Sequence, residues 1–253
     1  MSILAGFADI SLGQLVLVGG MALLASIVGG LAGYGTGALM PLVLVPLIGA
    51  EPVVPIIAIS AIITNISRFV AYFRYADRRR ALIVIGAAAL TTALGAYGYT
   101  RLTGAGAALV IGSMLILSVP QRRFAKKREL RIGDTGLGVS AVGYGVVVGG
   151  TSGSGVILLS LLMASGLEGA AVIATDAMIS VVTSVIKISV FGLAGVVTAQ
   201  VLAFALLIGA IAIPGAFLAK AFVERMPVHI HTAILDAAVM VGGVVMITAA
   251  LRH

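Results

Sequence analysis

Two pairs of polar residues with the same spacing lie inside otherwise apolar stretches of the chain. Thr64 precedes Arg68 by four residues, and Thr183 precedes Lys187 by four residues. Four residues are about one helical turn, so each pair would share a helix face. Charges inside membrane helices are costly and mark functional sites, and one cation in each half would suit a passing anion. The candidate binding residues of this kind are Thr64, Asn65, Arg68, Thr183, Ser184 and Lys187.

Two glycine clusters stand at corresponding places, each at the start of a short apolar run. The cluster 35–37 leads into residues 38–48, and the cluster 153–155 leads into residues 155–165. Helix N-termini that meet inside a membrane can bind an anion through unpaired N–H groups, and glycine allows a close approach. We expect the central Thr and Ser to be N-caps; tight helix packing is the alternative. The candidate binding residues here are Gly35, Thr36, Gly37, Gly153, Ser154 and Gly155.

Asp176 is the one acidic residue well inside an apolar stretch. Near an anion pathway it has three candidate roles, namely proton coupling, pairing with a cation, or a carboxyl group kept neutral by burial. Coupling to protons, coupling to sodium and uniport all remain open. The chain has no cysteine, and its three histidines lie near segment ends. We therefore expect no metal site and no cofactor.

Residues 150–153 spell the GxSG motif of intramembrane serine proteases, whose serine needs a histidine base. The available histidines, His229 and His231, lie at a segment edge among basic residues. A four-letter match also arises readily in a chain with 33 glycines. We therefore expect that the protein is not an enzyme.

The elements that carry these residues are predicted to be membrane helices. The 253 residues are 60% hydrophobic and 10% charged, whereas soluble domains are roughly 25% charged. Lipid offers no hydrogen bonds, and apolar runs without alternation exclude a β-barrel. The expected fold is an all-α polytopic membrane protein with 8 to 10 transmembrane segments, two of them short or broken. The apolar stretches are 14–32, 38–48, 53–73, 81–100, 104–119, 136–150, 155–165, 170–191, 196–219 and 232–251.

The net charge of +7 is concentrated in two short loops, since residues 74–80 and 121–131 hold ten of the sixteen basic residues. Short basic loops stay on the cytoplasmic side of a membrane. The charge therefore predicts topology rather than nucleic-acid binding, with both termini outside and with the loops 74–80, 121–134 and 220–231 on the cytoplasmic side. The N-terminus lacks a basic region and an evident cleavage site, so we expect no removed signal peptide.

The two halves of the chain resemble each other. Each has a glycine cluster, a short apolar run, a long helix with polar residues and two further segments. The connection after the long helix is basic at 74–80 and uncharged at 191–197, so corresponding loops are expected to face opposite sides. This predicts an inverted-topology repeat of about five segments per half, as in secondary transporters. The expected division is repeat 1 at 1–119, a basic cytoplasmic linker at 120–134 and repeat 2 at 135–253.

The repeated glycine clusters, the apolar run with Val45, Pro46 and Leu47, and the basic loop after the long helix resemble the sulfite exporter TauE/SafE family, also called TSUP. Here GYGTG stands in place of a run closer to GIGGG. The resemblance implies export of sulfite, sulfonates or related organic anions across the cytoplasmic (inner) membrane of a bacterium. The implied partners are a small anion and the lipid bilayer, with no nucleic acid and an open oligomeric state. A non-transporting membrane assembly or scaffold protein is the alternative.

Overall fold

The computed structural model of the protein describes residues 3–8, 10–32, 35–127, 131–223 and 228–251. Over these residues the chain is all-helical, as predicted, with two short 3-10 helices at Ile3–Phe7 and Phe73–Tyr75. The ten α-helices are α1 (Leu12–Ala32), α2 (Gly35–Ile48), α3 (Val53–Tyr72), α4 (Arg78–Tyr99), α5 (Gly104–Lys127), α6 (Asp134–Gly150), α7 (Gly155–Ala164), α8 (Gly169–Leu193), α9 (Ala199–Val223) and α10 (Val228–Ala250).

Four of the described helices, α3, α4, α5 and α8, are long and apolar enough to cross a membrane. Large apolar side chains point away from the protein, among them Leu12 (79% exposed), Leu90 (70%) and Leu193 (91%). Apolar surface of this extent is stable only against lipid or a partner. The prediction of a polytopic membrane protein is therefore confirmed.

The two helices that follow the glycine clusters are short, as predicted. Helix α2 has 14 residues and α7 has 10. The expected N-caps were wrong in detail. Thr36 is the second residue of α2, because the helix already begins at Gly35. Ser154 is at the N-cap position of α7, but its side chain makes no capping hydrogen bond.

The predicted loops are shorter than the sequence indicated. Helix α5 continues to Lys127, so the first eight residues of the predicted linker 120–134 are helical. Parts of two predicted basic loops lie outside the described residues, namely residues 128–130 of the linker and residues 224–227 of the segment 220–231. The same holds for His253. The division into two repeats and a linker stays a prediction.

The helices of the two halves interleave in a reciprocal pattern. Helix α4 packs on α6 as α9 packs on α1, and α3 packs on α9 as α8 packs on α4. Helix α5 contacts α7 as α10 contacts α2, while α3 pairs with α8 and α5 with α10. If each helix n of the first half is exchanged with helix n+5 of the second half, the first six contacts are exchanged in pairs. The α3–α8 and α5–α10 contacts are each exchanged with themselves. Two halves related by a two-fold axis would produce this pattern.

The equivalent helices α3 and α8 run antiparallel. The N–H of Asp77, just after α3, donates to Oγ1 of Thr175 near the start of α8, at 3.0 Å. At the other end, Tyr99 donates to the carbonyl of Ala50, just before α3, and its ring packs edge-on against Phe191 near the end of α8. Antiparallel equivalent helices are what an inverted repeat requires.

Glycine allows α4 and α6 to approach closely. A Cβ added at Gly149 of α6 would meet the carbonyl oxygen of Thr92 and lie 2.8 Å from the N of Ala96. A Cβ added at Gly145 would lie 2.6 Å from the carbonyl oxygen of Ala88. The two backbones are therefore in direct contact, as in other membrane helix pairs that use small residues.

We expect Gly149→Ala to lower the free energy of unfolding by about 2 kcal/mol or more, because the new methyl group has to separate two helix backbones. Gly86→Ala in α4 is the matched control, since no atom lies within 4 Å of its added Cβ. There we expect no change or a gain of up to about 1 kcal/mol. Thermal unfolding of both variants in the same detergent measures the difference. Equal stabilities would contradict the proposed backbone contact.

Candidate functional site

A cavity of about 420 Å³ lies where α2, α3, α6, α7 and α8 meet. All thirteen residues that sequence reasoning singled out line this one cavity, although they come from distant parts of the chain. Whether they bind an anion stays a prediction. They are Gly35, Thr36, Gly37, Thr64, Asn65, Arg68, Gly153, Ser154, Gly155, Asp176, Thr183, Ser184 and Lys187.

The two glycine clusters touch each other at the cavity wall. A Cβ added at Gly37 would lie 2.8 Å from the backbone N of Gly153, so a side chain has no room at this position. Gly153 itself has a φ of 80°, a conformation that glycine adopts without strain. It turns the chain from the end of α6 into the start of α7. The N-termini of α2 and α7 therefore meet, as predicted, and both carry the partial positive charge of a helix start.

Arg68 and Asp176 form an ion pair that links α3 to α8. Nη2 of Arg68 lies 3.3 Å from Oδ2 of Asp176, and Nη1 of Arg68 donates to Oδ1 of Asn65 at 3.2 Å. Asp176 is only 2% exposed, and its other carboxylate oxygen has no hydrogen-bond partner among the described residues. Of the three candidate roles of Asp176, the structure shows pairing with a cation; proton coupling stays a prediction.

Lys187 is a buried cation without a carboxylate partner among the described residues. Its side chain is 5% exposed, and Nζ donates to the carbonyl oxygen of Thr151 at 3.1 Å. Thr151 is the C-cap of α6, where the helix ends in partially negative carbonyl groups that stabilise a nearby cation. This interaction neutralises only part of a full charge. When protonated, Lys187 thus gives the cavity a positive charge that is available for an anion.

A family model described as Sulfite exporter TauE/SafE matches residues 18–246, nearly the whole chain. The chain belongs to the TauE/SafE family. Neither a curated protein nor a solved structure matched the chain. The TauE/SafE family consists of membrane transporters, so its members, including this chain, are membrane-embedded and act on a small-molecule substrate.

In this TauE/SafE protein, one threonine hydroxyl group in each half donates the same hydrogen bond to a carbonyl group of the preceding helical turn. Oγ1 of Thr64 donates to the carbonyl of Ala61, and Oγ1 of Thr183 donates to the carbonyl of Ser180. Such bonds to the preceding turn satisfy a hydroxyl inside a helix. An anion would have to draw these hydroxyl hydrogens away from the backbone. Lys187 and the helix N-termini are therefore its stronger donors.

Several cavity-lining residues were missed by sequence reasoning. Ser180 is four residues after Asp176, on the same helix face, so helical spacing could have identified it. Tyr144 of α6 is 3% exposed, and a buried tyrosine needs a partner for its hydroxyl group, which was the available signal. The missed polar residues are Ser26, Ser67, Tyr72, Tyr144, Thr151, Ser152 and Ser180.

The serine of the GxSG match, Ser152, also lines the cavity. Its hydroxyl group is buried and has no hydrogen-bond partner among the described residues. The side chains of His229 and His231 lie outside the described residues. No described residue acts as a base on Ser152, so the arrangement offers no support for a protease site.

A polar junction around Asp77 joins the start of α4 to α8. Oδ1 of Asp77 caps α4 by accepting from the N–H of Arg80, and Oδ2 pairs with its guanidinium group at 2.8 Å. Partial burial raises the pKa of Asp77, but the hydrogen bonds and charge of Arg80 outweigh it and hold the pKa below its ordinary value. Asp77 is therefore ionised at neutral pH and holds the start of α4 against α8.

Proposed function

We propose that the protein exports small sulfur-containing or organic anions, such as sulfite or sulfonates, across the cytoplasmic membrane, and that the central cavity is the binding site. The observation that carries this proposal is Lys187, a buried basic residue of the cavity that makes no ion pair with a described carboxylate, since Asp176 pairs with Arg68. A buried charge is costly without a partner. A bound anion would supply the missing charge.

The two touching helix N-termini support the same proposal. An anion that enters a membrane protein loses most of its hydration, so donors of the protein have to replace water. Backbone N–H groups at the starts of α2 and α7 supply donors without adding full charges. Such a site can hold an anion and still release it. The outward direction follows the description of the family.

Alternating access between two inverted halves is the proposed mechanism. The reciprocal packing of the helices and the antiparallel direction of α3 and α8 support it. The Arg68–Asp176 pair bridges the two halves. Protonation of Asp176 would break that bridge, which makes it the candidate for proton coupling, and rocking of one half against the other would then be easier.

Binding by the purified protein tests the proposal. A ligand that binds only the folded state at 100 times its Kd stabilises it by about 2.7 kcal/mol. We expect sulfite, sulfoacetate and short sulfonates to raise the Tm, and matched uncharged compounds such as dimethyl sulfone to leave it unchanged. Efflux of the stabilising anion from proteoliposomes then tests transport. If no anion raises the Tm and efflux equals that of protein-free vesicles, the proposed function is wrong.

A further inference from the structure

The polar residues of α3 recur on α8 at a constant offset. Thr64, Asn65 and Arg68 each lie 119 residues before Thr183, Ser184 and Lys187. The two helices also pack antiparallel across the cavity. If a two-fold axis relates the two helices, each contact between a residue of α3 and a residue of α8 has a symmetry-related contact. That second contact is found by adding 119 to the number of the α3 residue and subtracting 119 from the number of the α8 residue.

The Arg68–Asp176 ion pair can be carried through this exchange. Arg68 becomes Lys187, and Asp176 becomes Ile57. Both of these residues line the cavity, and Ile57 is only 6% exposed. An aliphatic side chain therefore stands where symmetry would require a carboxylate. The two halves keep the cation but differ in its countercharge.

This difference sets the charge of the cavity. Of the described residues that line it, only Arg68, Asp176 and Lys187 carry charges. The ion pair contributes no net charge, so with Lys187 protonated the cavity keeps one positive charge. In a site of low dielectric, the most favourable ligand brings one compensating charge, because each further unpaired charge has to be desolvated.

We propose that this broken symmetry selects monovalent anions: Ile57 leaves Lys187 free to bind one anionic group, and Asp176 occupies Arg68 so that a second group finds no cation. This inference rests on the proposed function. It assigns a further role to Ile57 and Asp176, which determine the substrate charge that the cavity prefers without being the primary ligands of the substrate.

The first test places a carboxylate at the symmetry-related position. In Ile57→Asp, the new carboxylate should pair with Lys187 and lower the affinity for isethionate, a monovalent sulfonate, by at least about 10-fold, which corresponds to about 1.4 kcal/mol. Ile57→Asn is the matched control, since it has nearly the same shape without the charge, and it should bind isethionate at least about 10-fold more tightly than Ile57→Asp. Titration calorimetry of the purified variants gives the affinities. Equal affinities of the two variants would overturn the proposal.

The second test frees Arg68 and does not depend on the folding of Ile57→Asp. Sulfoacetate is close to isethionate in size but carries two negative charges at neutral pH. The wild-type protein should prefer isethionate. In Asp176→Asn the amide can still accept a hydrogen bond from Arg68, but the negative charge is removed and the net charge of the cavity rises by one unit. The ratio of the affinity for sulfoacetate to the affinity for isethionate should therefore rise by at least about 10-fold, a typical coupling between two sites.

The outcomes separate this inference from the function it rests on. A wild-type protein that binds sulfoacetate more tightly than isethionate, or an unchanged ratio in Asp176→Asn, would overturn the charge selection while leaving anion transport intact. A wild-type protein that binds neither compound nor sulfite, and shows no efflux, would overturn both.

Discussion

Arg68→Ala should lower the free energy of unfolding by about 3 kcal/mol or more, because it leaves the carboxylate of Asp176 buried without its cation. Breaking a buried ion pair by removing one partner costs about 3–5 kcal/mol. The side chain of Asp176 is 2% exposed, so water cannot replace the lost cation at its carboxylate. Thermal unfolding in detergent, combined with an efflux assay, measures stability and transport separately.

A double-mutant cycle identifies the cause. Arg68→Ala combined with Asp176→Asn should recover most of the lost stability, because the buried negative charge is gone. Ser67→Ala is a control on the same helix, since the hydroxyl of Ser67 bonds only to the carbonyl of Ile63 among the described residues. If Asp176→Asn restores none of the stability, the loss comes from packing and not from the unpaired carboxylate.

Lys187→Met should have the opposite profile, with anion binding lost and stability unchanged or raised. Lys187 has no carboxylate partner among the described residues, so its removal strands no opposite charge. A hydrogen bond to a charged group contributes about 1.5–3 kcal/mol, so the affinity for an anion should fall about 10- to 100-fold. Calorimetric titration with isethionate, alongside thermal unfolding without ligand, tests both parts.

Lys187→Arg is the matched control for charge. It keeps the cation but replaces a compact ammonium group with a planar guanidinium group, so we expect partial recovery of binding. Wild-type affinity in Lys187→Met would remove Lys187 from the proposed site. A marked loss of stability in Lys187→Met would show that its bond to the Thr151 carbonyl is mainly structural.

Much of this architecture could be predicted because membranes impose strong rules on sequence. The lengths of the apolar stretches predicted the helices, and repeated spacing predicted which polar residues belong together. The short helices α2 and α7 were predicted from the glycine clusters at 35–37 and 153–155. Each of these patterns is local, so it can be recognised without knowledge of packing.

The unpredicted features depend on relations between helices. Asp176 pairs with Arg68 because α3 and α8 run antiparallel with one particular offset, and no local pattern reveals that offset. Ile57 resembles any other apolar residue until the symmetry of the pair is known. The expected N-cap role of Thr36 was wrong because glycine starts α2 one residue earlier. Tyr144 lies in an apolar segment, where its hydroxyl group was the one sign that it differs from core residues, and the cavity shows where that group lies.

The interleaving of the helices also constrains how the chain can be made. Helix α4 packs mainly on α6, and α1 makes its most extensive contact with α9, so each of these helices has its main packing partner in the other half. Synthesis at about 5–20 residues per second would deliver the end of α6 roughly 3–10 seconds after the end of α4. During that delay the surface of α4 that later packs against α6 faces lipid or an insertion factor. Ribosome-bound chains that end at Lys127 should therefore be far more sensitive to proteases than complete chains, and the halves should assemble only together.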